Sequence, residues 1–217
     1  MIIGITINNV LRDHISQLKK GYLEITGNEA IEPINPYDLE KSFPTVVSTE
    51  NATEFVVNDD GEAVPDLQFN EVDQGFNVYE LMYNDAPFEI FGRSEESTSG
   101  IIHKLKEIEK QSKVEFVLLN KESPRSKCAT LFFLSKNSFD FKHIYFPEKE
   151  KDFWALADVI VTDNPKILKA KPKNKVSIKV ETEFNVDIKA DFSIININDT
   201  KSLKNTIKTI KTKQKGK

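Results

Sequence analysis

The polar residues best placed to do chemistry in this chain stand directly after its short apolar runs: residues 6–9, 120–122, Pro147, 162–164 and 181–185. In a parallel α/β sheet such positions face a ligand, because these sheets bind at the carboxyl ends of their strands. Thr6 offers a hydroxyl there, Asn8 and Asn120 offer amides, and Asp163 offers a carboxylate beside Thr162. A threonine hydroxyl is a poor nucleophile without an adjacent base, and none neighbours Thr6 in the sequence. The stretch Thr162-Asp163-Asn164-Pro165 also reads as a helix start, with Asp163 or Asn164 accepting the first free N–H groups. Other signatures are missing: there is no P-loop, no GxGxxG, no metal-ligand cluster and no repeat. The three His, at 14, 103 and 143, share no ligand spacing and read as surface or satisfied core residues. Cys128, within SKCATLFFL, reads as a packing residue with no local base to activate it.

Strands must end just before those positions, and helices must return the chain between them. MIIGITI at the start has the length of a buried strand. Ile15, Leu18, Tyr22 and Ile25 then share one face of a helix that should stop near Gly27-Asn28. A Pro-, Asn- and acid-rich stretch follows and reads as an insertion over 30–75, with hairpin strands around 58–61. Helix is expected over 78–83, and again over 97–111, where Ile101, Ile102, Leu105 and Ile108 form a stripe. The remaining strands are expected at 114–119, 143–146, 158–161, 176–180 and 192–197. Helices are expected at 126–135, 149–157 around Trp154, and after Asn164-Pro165. This alternation predicts an α/β fold with a mostly parallel, Rossmann-like sheet flanked by helices. The expected division is a core of 1–29 plus 76–200, a cap-like insertion at 30–75 and a tail at 201–217.

Composition narrows the classes. The 217 residues are 39% hydrophobic and 29% charged, with 15 Phe, enough apolar material for a core. A single Cys excludes an intrachain disulfide and points to reducing, cytoplasmic surroundings. No run of about 18 apolar residues predicts a membrane span. MIIGITINN has no basic stretch ahead of its apolar residues, so no signal peptide is expected. The net charge of −4 is unevenly spread. Residues 201–217 carry seven Lys and no acid, and removing that +7 from the total leaves −11 on the other 200 residues. Residues 37–75 carry ten acids against Lys41. The tail should be helical to about Ile210 and frayed beyond.

The post-strand residues resemble the haloacid dehalogenase superfamily, particularly its nucleotidase-like phosphatases. That family opens on a strand ending in Asp-x-Asp-Gly-(Val/Thr)-Leu, and here the segment is Thr6-Ile7-Asn8-Asn9-Val10-Leu11. Its late signature is a strand ending in Asp-Asp, matched by Val159-Ile160-Val161-Thr162-Asp163-Asn164-Pro165. Its middle signature, a strand ending in Ser or Thr, falls on Asn120, and its downstream Asn on Asn185. The resemblance implies a nucleophile at the position of Thr6, an acid/base group at Asn8, a Mg²⁺ site shared with Thr162 and Asp163, and a phosphate-binding Lys with Lys149 and Lys151 as candidates. Asn8 cannot transfer a proton, and of the four family carboxylates only Asp163 remains.

These departures lead to the expectation of no catalysis, cofactor or metal: a degenerate domain serving as a structural or interaction module in a homo- or hetero-oligomeric assembly. GITINNVLRD and VIVTDNPKIL also resemble degenerate proteins of tailed bacteriophages, which implies a virion component and a host-cytoplasm setting. The alternative is a Mg²⁺-dependent, nucleotidase-like phosphohydrolase with atypical residues. A third reading is nucleic-acid binding through the Lys-rich tail.

Overall fold

The computed structural model describes residues 1–44, 55–57, 63–65 and 77–215. Strand β1 (Ile2–Thr6) is followed by the two-residue β2 (Arg12–Asp13) and helix α1 (His14–Thr26). The Asp13 side chain caps α1 by accepting from the Ser16 N–H, and Gly27 ends it at φ 69°, a conformation that suits a residue without Cβ. Strands β3 (Phe55–Val57) and β4 (Ala63–Pro65) pair antiparallel, as the hairpin reading expects. The turn between them and most of the acidic insertion lie outside the described residues. Helix α2 (Val78–Glu80) runs into two π-helical segments, Leu81–Asp85 and Phe88–Gly92. The regular helix expected over 78–83 is therefore short. Pro87 lacks an N–H and disfavours helical geometry at the residue before it, so the path breaks between the two segments. Strand β5 (Glu95–Glu96) pairs with β2.

The rest alternates as expected: α3 (Ile101–Ser112), β6 (Glu115–Leu119), α4 (Pro124–Lys136), β7 (Ile144–Tyr145), α5 (Glu150–Leu156), β8 (Val159–Thr162), α6 (Pro165–Lys169), β9 (Val176–Val180), β10 (Phe192–Ile194) and α7 (Thr200–Lys215). Six strands form one sheet in the order β10, β9, β8, β1, β6, β7, and every neighbouring pair is parallel. Both faces are covered, which is why these strands read as unbroken apolar runs rather than alternating ones. Ile3, Ile5, Phe116, Leu118, Val159 and Val161 pack against α3 and α7 on one face. Val117, Leu119 and Ile160 pack against Phe153, Trp154 and Ile167 of α5 and α6 on the other. Gly4 sits at the tightest point of that second face: a Cβ there would lie 2.4 Å from Leu119 Cδ1 and 3.1 Å from Ala157 Cβ. A second, smaller core joins Leu18 and Tyr22 of α1 to Ile34, Leu39 and Phe43 and to Leu81, Met82, Ile90 and Phe91 of the π-helical segments. It forms the wall beside the sheet's carboxyl edge.

Two expectations are corrected here. Cys128 is exposed on α4 rather than packed, because that helix buries Ala129, Thr130, Phe133 and Leu134 instead. The segment expected as a tail packs against the core over its described residues, 201–215. Its helix continues to Lys215, and Leu203, Ile207 and Ile210 are buried in the same core as β1 and α3. Two of its lysines also turn inward: Lys211 Nζ donates to the Ser112 carbonyl at 2.6 Å, and Lys213 Nζ lies 5.4 Å from the Phe192 ring centroid. Among the described residues no helix is long and apolar enough to cross a membrane.

This packing predicts that Ile207→Ala will destabilise the chain by about 2–5 kcal/mol, the usual loss for a buried aliphatic truncation. Urea denaturation reads it directly; a loss below about 0.5 kcal/mol, typical of a surface change, would contradict the packing of α7.

Candidate active site

A cavity of about 670 Å³ lies at the carboxyl ends of β1, β6 and β8. Thr6, Asn8 and Asn9 reach it after β1, Asn120, Lys121 and Glu122 after β6, and Asp163 and Asn164 after β8. Tyr37, Tyr79, Glu80, Met82 and Tyr83 are among the other residues of the wall. Three of the five post-strand groups expected from the sequence therefore converge. Pro147 and residues 181–185 do not line the cavity. Asn185 acts from behind it: its amide donates to the carbonyls of Asp163 at 2.8 Å and Val180 at 2.9 Å. Its carbonyl accepts the Thr182 N–H at 3.0 Å. This fixes the backbone that carries Asp163.

Asp163 is 2% exposed. Asn164, not Asp163, caps α6, accepting from the N–H groups of Lys166 and Ile167 at 2.8 and 3.4 Å. The Asp163 carboxylate is thus left for the cavity. Burial pushes its pKa up to about 6, and the Tyr37 hydroxyl, the backbone at Asp163 and the Asn9 amide pull less strongly the other way. The Tyr37 hydroxyl is buried beside this carboxylate, too poorly aligned for a well-formed hydrogen bond, and burial with the nearby charge drives its own pKa far up. Asn9 reaches Asp163 from a left-handed backbone, φ 63°, at the position where the resembling motif has Gly. Asn tolerates that conformation better than most side chains. Thr6 Oγ1 donates to Thr162 Oγ1 at 3.1 Å, and Thr162 Oγ1 also accepts the Asn164 N–H at 3.1 Å. The Thr6 hydroxyl is therefore held by another hydroxyl, not by a base.

Behind Asn8 and Glu122 lies Arg12, fully buried. Its Nη2 pairs with Glu122 Oε1 at 2.9 Å, with neither side chain exposed, and its Nη1 donates to Thr130 Oγ1 at 2.7 Å. Its Nε donates to Asn8 Oδ1 at 3.0 Å, and Nη2 joins on the same oxygen. Phe91 and Phe133 flank the guanidinium, with ring centroids 4.5 and 5.3 Å from Cζ. Burial pulls the Arg12 pKa down and Glu122 raises it, and the guanidinium stays charged. Glu122 Oε1 also accepts from Thr130 Oγ1 at 2.7 Å and from the Asn120 amide, whereas Oε2 is buried with no partner. His14, on the cavity wall, is held neutral: burial, and then the charge of Arg12, push its pKa down to about 3.

The other sequence candidates lie elsewhere. Lys149 caps α5 and Lys151 is exposed, and neither lines the cavity. Lys121 is the lysine that does, in an ion pair with Glu150 at 3.4 Å. His103 is exposed, and His143 sits 3.6 Å from Glu115 on the surface. Sequence reasoning missed Arg12, Tyr37 and Lys121 as individuals. Only Lys121 carried a signal, its place after the second core strand.

The resemblance implies Mg²⁺, and the donors do not fit it. This ion requires an octahedron of oxygens, usually with carboxylates among them. Of the carboxylates that line the cavity, Asp163 is buried, Glu122 is held by Arg12 and Glu80 lies exposed on α2, while Asn8 Oδ1 is covered by a guanidinium. Among the described residues no group of three or more His, Cys, Asp or Glu is placed to hold a metal.

No family model and no curated protein matches the sequence. Solved structures do match in shape. A protein described as a β-phosphoglucomutase from Thermotoga maritima aligns over 96% of this chain and 99% of its own, at TM-score 0.53 and 12% identity. A haloacid dehalogenase-like hydrolase from Streptococcus pneumoniae aligns over 93% and 97%, at 0.53 and 12%. The fold is haloacid dehalogenase-like. CbbY from Rhodobacter sphaeroides, in complex with phosphate, aligns over 91% and 95%, at 0.52 and 11%. These matches overturn the expectation of an inert structural or virion module and of a non-enzyme. The haloacid dehalogenase-like structures matched over nearly their full length are described as a mutase and a hydrolase. The residues that depart from the resembling motif line this cavity together with the buried Asp163 carboxylate.

An unpaired buried carboxylate costs stability. The folded pKa of Asp163, about 6, exceeds its ordinary 3.8, so the folded state holds the proton more tightly. Stability from this group is full below pH 3.8 and falls as pH rises to about 6, by about 3 kcal/mol in total. Asp163→Asn should remove that slope. Relative to the parent it should gain about 2 kcal/mol between pH 4 and pH 7. Chemical denaturation across that range tests it, and parallel pH curves for the two proteins would refute it.

Proposed function

We propose that the chain hydrolyses phosphate monoesters, with Asp163 as general base and water as the nucleophile. The observation that carries the reading is the buried Asp163 carboxylate, raised to about 6 and facing a polar cavity at the sheet's carboxyl edge. A base is most effective when its pKa lies near the working pH. Thr6 gives its hydrogen to Thr162 and has no base behind it, so an enzyme-bound phosphate ester at Thr6 is not part of the reaction. Instead the water oxygen bonds to phosphorus as Asp163 takes the water's proton. The ester P–O bond breaks, and the departing alkoxide takes a proton from solvent. Lys121, at the cavity wall, supplies positive charge to the phosphate. Nucleotides, from the resemblance of the stretch around Asn185 to nucleotidase-like phosphatases, and sugar phosphates, from the matched β-phosphoglucomutase, are the first substrates to try.

Purified protein assayed on nucleoside monophosphates, sugar phosphates and an aryl phosphate should show turnover that rises with pH through about 6. Asp163→Asn should lower kcat by about 10²-fold or more, the usual contribution of a general base. Thr6→Val should change kcat by less than about tenfold, since no step passes through its hydroxyl. No turnover on any ester, or equal turnover in Asp163→Asn, would defeat the proposal.

A further inference from the structure

Asn8 stands where the resembling motif has a proton-transferring carboxylate, and the structure gives its amide a defined direction. Arg12 Nε and Nη2 can only donate, and both meet Asn8 Oδ1. Asn120 Nδ2 approaches the same oxygen at 3.4 Å. Donors converging on one atom assign it as oxygen, so the other end of the amide is the NH₂ group. Asn8 lines the cavity, and its Nδ2 makes no hydrogen bond with the described residues. Buried Arg12 and Glu122 prevent the amide from turning over, because a flipped Asn8 would set its NH₂ against a guanidinium.

We infer that the cavity binds a phosphate group without a divalent cation, through the Asn8 NH₂ that the Arg12–Glu122 pair locks in place. The inference rests on reading the cavity as a phosphoester site. Two oxygens that could help hold a cation are otherwise engaged. Asn8 Oδ1 is covered by Arg12, and Glu122 Oε1 accepts from Arg12, Asn120 and Thr130. A dication on Asn8 Oδ1 would also meet a guanidinium whose Nε is 3.0 Å from that oxygen. Donors line the cavity instead: the Asn8 NH₂, polarised by the guanidinium at its far end, and, on the same wall, the Lys121 ammonium, which pairs with Glu150 at 3.4 Å. Such a site meets an anion with N–H groups where a metal-dependent one meets it with charge from the ion.

The test is inorganic phosphate titrated into the full chain by calorimetry, in EDTA and separately in excess Mg²⁺. Side-chain amide resonances are followed in parallel by ¹⁵N-edited NMR. Phosphate should bind in EDTA with a Kd within about twofold of that in Mg²⁺, and the Asn8 NH₂ resonances should shift. Asn8→Asp, which puts an acceptor in place of the donor, should weaken phosphate binding about tenfold or more. Asn8→Ala, with folding checked by circular dichroism, should do the same without adding charge. A requirement for Mg²⁺ in phosphate binding would overturn the inference and leave the hydrolase reading standing. Absence of phosphate binding in EDTA, or unchanged binding in both Asn8 variants, would also overturn it. Binding in EDTA without turnover of any ester would support the inference and defeat the hydrolase reading.

Discussion

Arg12 carries a charge into the buried interior, and the walls of the site are arranged around that charge. Its partners come from four parts of the chain: Asn8 after β1, Glu122 after β6, Thr130 and Phe133 from α4, and Phe91 from the second π-helical segment. An isolated buried guanidinium would be prohibitive, and an isolated Glu122 nearly so. Together, with each hydrogen bond directed, they fix where the β1 and β6 loops can lie. Removing one member of such a pair generally costs about 3–5 kcal/mol, because the other charge is left buried alone. Charge balance therefore sets the geometry of Asn8 and of the π-helical wall.

Asp163 is the opposite case. It is buried without a cation beside it, supported by the Asn9 amide and the nearby Tyr37 hydroxyl, and its backbone is tied down by Asn185. This arrangement raises its proton affinity and costs stability at neutral pH. Strain of that kind gathers where chemistry needs it. The two buried carboxylates of the site thus differ through surroundings alone: Glu122 is matched by a guanidinium, while Asp163 faces the cavity with a raised proton affinity.

Much of the fold was legible in the sequence. A strand covered on both faces must be apolar throughout, so β1, β6, β8 and β9 stand out as short runs, and the polar residues after them mark the sheet's carboxyl edge. The stripe of Ile101, Ile102, Leu105 and Ile108 gave α3 directly. Legibility failed where two signals competed in one segment. In 201–217 seven lysines drew attention from Leu203, Ile207 and Ile210, whose spacing of four and three residues is itself a helical stripe. Cys128 took its reading from apolar neighbours, although helical rotation puts it on the solvent side of α4.

By itself, then, the sequence determined the parallel α/β architecture, the strand ends that form the site, and the presence of Asp163 at one of those ends. Those follow from local periodicity and from residue identity. Only the tertiary structure decided what the altered residues do. Arg12 reads as an ordinary surface charge until Glu122, 110 residues away, is brought to 2.9 Å. Tyr37 and Asn9 gain meaning only when folding sets them beside Asp163. The direction of the Asn8 amide, the neutrality of His14 and the pKa of Asp163 depend on burial and on partners distant in sequence. Desolvation and charge pairing are properties of the packed site, not of any segment within it.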